Sequence, residues 1–167
     1  NEKLKIVIIR PPLVYGPGVG ANFRRILWAT NKELPLPFNN IDNKRSFIYV
    51  ENLIAFIYEC CKNKEADNQI FTISDNQDLS TSELIKKLGY FMNKRTRLFH
   101  INKYLIKFLF KILRKEETFN KLYSSLQINP KNSFKKIKFD LPYSLDDGLK
   151  KTVDWYKNFH NKTNNLQ

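Results

Sequence analysis

Ile6-Val7-Ile8-Ile9-Arg10-Pro11-Pro12-Leu13-Val14-Tyr15-Gly16-Pro17-Gly18 is the stretch on which the fold turns. Four β-branched apolar residues run without a polar break, the pattern of a parallel strand buried on both faces. Pro11 and Pro12 cannot donate to a sheet ladder, so the strand ends near Arg10. Tyr15-Gly16-Pro17-Gly18 is a turn cluster in which glycine supplies backbone angles that other residues resist. Open α/β sheets bind ligands where a buried strand runs into such a loop. An ordinary strand-to-loop connection fits the same spacing.

Outward from this stretch, Gln69-Ile70-Phe71-Thr72-Ile73-Ser74 reads as a second strand of the same sheet. Two strands do not complete a doubly wound sheet, so its first part is expected to precede Asn1. Asn22 is a plausible N-cap for a helix over 23–29. Glu33-Leu34-Pro35-Leu36-Pro37-Phe38 is held extended by alternating prolines, and Asn39 to Lys44 form a polar turn. Phe47 and Tyr49 share one face of a short strand. A helix follows from Val50 to about Lys62, with Leu53, Phe56, Ile57 and Cys60 on one side. Ser80 and Glu83 form a capping box for a helix to about Asn93. Residues 95–101 read as extended and 118–127 as helical. Asn129 caps a short helix with Pro130 at its first position, and the last helix runs through Trp155-Tyr156, with a polar tail over 161–167.

The chain has 167 residues, 42% hydrophobic and 14% aromatic, enough for one packed α/β domain and against disorder. No apolar run approaches the roughly 20 residues of a membrane-spanning helix. Its two cysteines, Cys60 and Cys61, are neighbours on a predicted helix and imply neither a disulfide framework nor a metal site. A reducing, cytoplasmic setting fits that usage. The net charge of +13 raises nucleic acid or an anionic membrane as a partner. The lysines are scattered and no nucleic-acid module is present, so no nucleic-acid partner is expected. The same field draws in an anionic small substrate such as a nucleoside diphosphate. Lys103, Lys107 and Lys111 make a basic stripe on an otherwise apolar helical segment, 103–115. Such a segment either packs inside a domain or lies on an anionic membrane as a peripheral contact.

Arg10-Pro11-Pro12-Leu13-Val14-Tyr15-Gly16-Pro17-Gly18 resembles the loop after the sixth sheet strand of the extended short-chain dehydrogenases/reductases, the NAD-dependent epimerase/dehydratase family. Arg45-Ser46-Phe47-Ile48-Tyr49-Val50-Glu51-Asn52-Leu53 is similar to a second pattern of that family. Ser125-Leu126-Gln127-Ile128-Asn129 and Leu141-Pro142-Tyr143-Ser144-Leu145-Asp146-Asp147-Gly148-Leu149 are similar to its closing segments. Ile137-Lys138-Phe139 departs from the usual Leu-Gly-Trp.

The resemblance implies the C-terminal half of a UDP-sugar 4-epimerase or 4-reductase-like enzyme, with residues 1–160 continuing a Rossmann-type parallel sheet and adding a small mixed substrate-binding domain. Its sheet strands lie near 5–10 and 69–74, and its substrate-binding elements near 19–53 and 95–143. It implies NAD or NADP as cofactor, hydride transfer at sugar C4, a nucleotide-sugar ligand, and a homodimer in the full-length protein. The glycine-rich phosphate loop and the catalytic Tyr-x-x-x-Lys pair are implied to precede this chain, which is expected to carry neither and to be inactive alone. By matched position, Pro11, Pro12, Leu13 and Val14 line the nicotinamide. Asn22, with the apolar Phe23 after it, and Arg45 hold the diphosphate, Arg45 by bidentate charge-assisted bonds. Phe38 packs on the base or fills core. Leu13 stands where many 4-epimerases carry Asn, which leaves the sugar open. Two other readings fit the residues: a non-catalytic nucleotide-sugar-binding protein and a basic membrane-associating module.

Overall fold

The computed structural model describes residues 4–39, 41–112, 114 and 123–164. The chain is α/β, with parallel strand pairs and helices, and divides into two compact units. The first unit comprises 1–19, 46–78 and 127–167, and the second 20–45 and 79–126.

In the first unit, β1 (Ile8–Arg10) pairs in parallel with β5 (Ile70–Thr72), Ile9 opposite Phe71. The strand ends at Arg10, where the prolines stop the ladder. A strand that the sequence reading missed follows: β2 (Leu13–Tyr15) pairs in parallel with β4 (Phe47–Tyr49). Helix α2 (Val50–Lys62) packs Phe56 and Cys60 into the core, with Leu53 partly buried against it. That is the i, i+3, i+7 face of an amphipathic helix. Ile57, expected on that face, is exposed. It is one residue past Phe56, about 100° round the helix. The core joins Ile48, Phe56, Phe71, Ile73 and Ile137, with Val7, Ile9 and Val14 packed against it. Phe56 meets Phe71 at 5.6 Å and Phe139 at 5.2 Å between ring centroids, both edge to face. Such contacts add to the burial of the rings.

The expectation of a first strand buried on both faces is corrected. Val7 and Ile9 pack on the core, whereas Ile6 is 54% and Ile8 42% exposed. Successive strand residues point to opposite faces, and helix α2 and its neighbours cover one of them. Helix α5 (Lys131–Ile137) and helix α6 (Leu145–Asn164) complete the unit. Helix α5 starts one residue later than expected, with Pro130 as N-cap, but the Asn129 side chain still accepts from the Lys131 amide at 3.0 Å. Helix α6 continues to Asn164, so 161–164 are helical, not a tail, and 165–167 lie outside the described residues.

In the second unit, helix α1 (Ala21–Asn31) packs beside helix α3 (Thr81–Met92). Helix α1 buries Phe23, Leu27 and Thr30, and α3 buries Leu84, Ile85, Leu88 and Met92. The Ser80–Glu83 capping box is present: the Glu83 amide donates to Ser80 Oγ at 3.1 Å and the Ser80 amide to Glu83 Oε2 at 2.7 Å. Asn22 is not the N-cap of α1. Gly20 takes that position and Asn22 lies in the first turn without a capping bond. The extended segment contains β3 (Pro35–Leu36), which pairs in parallel with β6 (Arg97–Leu98). Phe38, Ile41 and Ile85 form a core with Leu36, Leu98 and Tyr123. Helix α4 (Lys103–Ile112) follows. Of the helix expected over 118–127, residues 118–122 lie outside the described residues, and Leu126 is in an extended bridge to Arg45.

Candidate functional site

Arg45 is fixed by its backbone. Its amide donates to the Leu79 carbonyl and its carbonyl accepts from the Leu79 amide, both at 3.0 Å. The Leu126 amide donates to the Lys44 carbonyl at 2.9 Å, so Leu126 flanks the same residue from another segment. Two extended segments thus hold Arg45 in one place. Its side chain is half-buried and has no hydrogen-bond or ion-pair partner among the described residues. Burial presses its guanidinium below the usual arginine pKa, with no anion to oppose the shift. A partly desolvated, unpaired, rigidly based guanidinium is an anion acceptor in waiting.

The turn before Arg45 is more than the polar surface expected of 39–44. Asn43 is buried. Its Nδ2 donates to Thr81 Oγ1 at 3.2 Å and its Oδ1 accepts from the Thr81 amide at 2.9 Å. Ser82 Oγ donates to the Phe38 carbonyl and accepts from the Ile41 amide. The start of α3 therefore locks 38–43, and with it the approach to Arg45. A buried polar group is tolerated because its bonds are made. Beside this turn is a cavity of about 350 Å³ lined by Pro37, Asn39, Ile41, Asn43, His100 and Tyr123.

The other expected residues of this unit fall in two groups. Phe23 and Phe38 are core. The Phe38 ring meets Tyr123 edge to face at 6.3 Å, so of the two roles open to it, the structure gives core filling. Asn22 is half-exposed in the first turn of α1, and its amide has no partner among the described residues.

In the first unit, Pro11 is exposed and Pro12 and Leu13 are half-buried, between β1 and the end of the new strand. Val14 packs on the core, so its side chain is framework. What holds this segment is a polar hub absent from the sequence reading. Asp75 is buried. It accepts from Tyr15 Oη at 2.8 Å, Asn52 Nδ2 at 2.8 Å and the Tyr49 amide at 3.1 Å. Asn52 Nδ2 also donates to the Tyr143 carbonyl at 2.9 Å. Burial pushes Asp75 above the usual carboxylate range, while the bonds from Asn52, Tyr49 and Tyr15 pull the other way. Burial, then the Asp75 charge, pushes Tyr15 well up. Tyr49 is pushed up to about 12, by burial first and the Glu51 carboxylate second. Both tyrosines stay protonated; Tyr15 Oη serves as a donor to Asp75, and the Tyr49 ring is a packing group whose buried hydroxyl has no hydrogen-bond partner among the described residues. An acid directly after an apolar strand, Ile73-Ser74-Asp75, was the available signal.

The expectation of no Tyr-x-x-x-Lys in the chain is corrected. That spacing occurs at Tyr58/Lys62 and Tyr90/Lys94. Lys62 Nζ lies 3.9 Å above the centre of the exposed Tyr58 ring, and Lys94 pairs with Glu33 at 3.5 Å.

No protein-family model matches the sequence. The chain is 32% identical over 163 residues to a UDP-glucose 4-epimerase of Vibrio cholerae, a match covering 97% of this chain and 50% of that one. It is 25% identical over 174 residues to the N-acetyl-alpha-D-glucosaminyl-diphospho-ditrans,octacis-undecaprenol 4-epimerase of Escherichia coli O157:H7, covering 96% and 52%. Among solved structures, the UDP-glucose 4-epimerase of Thermotoga maritima superposes with a TM-score of 0.67 at 18% identity, covering 94% of this chain and 47% of that one. An epimerase of Methanothermobacter thermautotrophicus gives 0.72 at 13%, covering 95% and 45%. The chain spans about half the length of the curated relatives it matches. By sequence and by fold it is similar to about half of each of these epimerases.

Proposed function

We propose that this chain is the substrate-binding half of a nucleotide-sugar 4-epimerase or a close relative, with a UDP-sugar as ligand. The observation that carries the reading is Arg45, half-buried, unpaired and pinned by backbone bonds, within a stretch that matches the family pattern. Its guanidinium supplies a planar fork for the diphosphate. Asn22, with a free amide in the first turn of α1, supplies a second polar contact beside unpaired helix N–H groups. The second unit is the ligand-gripping unit in this reading.

NAD or NADP, when bound, supplies the acceptor and donor of hydride at sugar C4. Pro11, Pro12 and Leu13 fit the flank of a flat nicotinamide, since two prolines present apolar surface and no competing N–H. The Asp75 hub keeps that segment rigid. The acid/base tyrosine and its lysine are assigned to the other half of the enzyme, so the 167-residue chain alone is expected to show no turnover of UDP-glucose or UDP-galactose.

The test is titration of the protein with UDP by calorimetry. Micromolar to millimolar binding that Arg45→Ala weakens at least about tenfold supports the reading. Binding that Arg45→Ala leaves intact overturns it. A polyprenyl diphosphate sugar is the second reading, favoured by the match to the Escherichia coli protein, whose name places it on such a compound. It predicts that a polyprenyl diphosphate competes for the Arg45 site and UDP does not.

A further inference from the structure

The positive charge of this protein is concentrated in one unit. The second unit holds 16 of the 29 basic residues and 5 of the 16 acidic ones, a net +11 of the +13 total. The first unit is close to balance. A composition bias spread evenly through the chain would not divide in this way.

Helix α4 is where this charge meets exposed apolar surface. Tyr104 is 82%, Leu105 54%, Phe108 59% and Ile112 62% exposed. On a helix advancing about 100° per residue, these four side chains fill one arc of roughly 100°. Lys107 and Lys111, both exposed, lie on the arc directly beside it. The helix contains no acidic residue. A helix of 10 residues is about 15 Å long, half of what is needed to cross a bilayer. No helix among the described residues is long and apolar enough to span one.

We infer that α4 is an in-plane anchor that seats the second unit on an anionic lipid bilayer. Tyr104, Leu105, Phe108 and Ile112 enter the headgroup–acyl boundary, and Lys107 and Lys111 reach the lipid phosphates, their stems along the apolar arc. The remaining positive charge of the unit lies in the field of the anionic surface and adds long-range attraction. A protein partner would need an acidic apolar groove. A bilayer meets both demands of this helix, apolar depth and negative surface, without further structure. The inference is independent of the assignment at Arg45.

The test is flotation of the protein with vesicles of phosphatidylglycerol and phosphatidylcholine against phosphatidylcholine alone. Binding to the anionic vesicles is expected, with partial retention in high salt because the apolar arc is buried. Lys107→Glu with Lys111→Glu should lower binding about tenfold or more. Leu105→Ser with Phe108→Ser should abolish the salt-resistant part. Lys131→Glu with Lys135→Glu, the same charge change on exposed α5 of the first unit, should leave binding within about twofold. No flotation with anionic vesicles overturns the inference. So does an equal loss in the α5 pair, which would reduce the effect to net charge. Circular dichroism of each variant confirms that it folds, and the two surface lysine pairs keep the comparison open if the apolar pair does not.

Discussion

Gly148 on α6 lies against Tyr15 so closely that a Cβ there would sit 2.6 Å from the Tyr15 hydroxyl and 2.8 Å from the Tyr49 ring. The last helix of the chain therefore presses on the very strand end that follows the Pro11-Pro12 segment. Its contact partners are the two tyrosines of the Asp75 hub. A tight helix crossing and a buried polar network are one device here, since the glycine lets the ring approach and the carboxylate orients its hydroxyl.

Gly148→Ala should destabilise the protein by about 1–3 kcal/mol, the usual cost of overpacking a rigid site. The gain in helix propensity, about 1 kcal/mol, offsets part of it. Urea unfolding measures the change. A stability equal to or above that of the parent protein would show that the ring moves aside freely.

Asp75→Ala leaves the buried Tyr49 amide without an acceptor, while Tyr15 Oη keeps the Leu145 carbonyl and Asn52 Nδ2 the Tyr143 carbonyl, and should cost about 1–3 kcal/mol. The pH dependence has a definite sign. Burial raises the folded-state pKa of Asp75 above its unfolded value. Its contribution to stability is then fully present below the unfolded pKa and is lost as pH rises through the folded one. The stability gap between the parent protein and Asp75→Asn should widen on going from about pH 7 to about pH 4. A gap that narrows would mean that the hydrogen bonds outweigh the burial.

Glu83 has the opposite sign. The Ser80 amide holds its carboxylate below the usual glutamate range. Its contribution is present above the unfolded value and fades as pH falls below about 4.3. Glu83→Gln should flatten the acid limb of the stability curve. Ser80→Ala should cost about 1 kcal/mol at neutral pH. Unfolding midpoints across the acid range check both.

Arg45→Ala should bind UDP at least about tenfold more weakly, and Arg45→Lys should recover part of it, since an ammonium lacks the planar fork. Folding should not suffer. The guanidinium has no partner to lose among the described residues, and burial disfavours its charge. Unfolding and titration on the same samples separate the two. A large stability loss would make Arg45 a structural residue and not a ligand residue.

Much of this architecture was legible along the chain. Prolines that cannot donate ended β1 at Arg10, the Ser80–Glu83 spacing gave the start of α3, and apolar periodicity gave α2 through Phe56 and Cys60. Each is a local effect, carried by residues a few positions apart. Strand β2 was missed because its Leu13-Val14-Tyr15 is short and follows two prolines, and its pairing with Phe47–Tyr49 is a long-range event. Asn22 was read as a cap because Asn is a good one, but a helix start also depends on where the backbone turns, and Gly20 sets it.

The candidate site divides in the same way. Residue types alone marked Arg45 as a cation in a matched motif and Pro11-Pro12 as a stiff end to a strand. Nothing local could show that Arg45 lies between Leu79 and Leu126, or that its charge is left unpaired. Nor could the sequence say that Asn43 is buried against Thr81, or that Tyr15, Tyr49 and Asn52 converge on Asp75. Hydrophobic period, capping and turn chemistry act within a few residues and can be read from order. Burial of a charge, and the partners that satisfy or fail to satisfy it, depend on segments 23 to 60 positions apart in this hub. Chain folding alone brings those segments together.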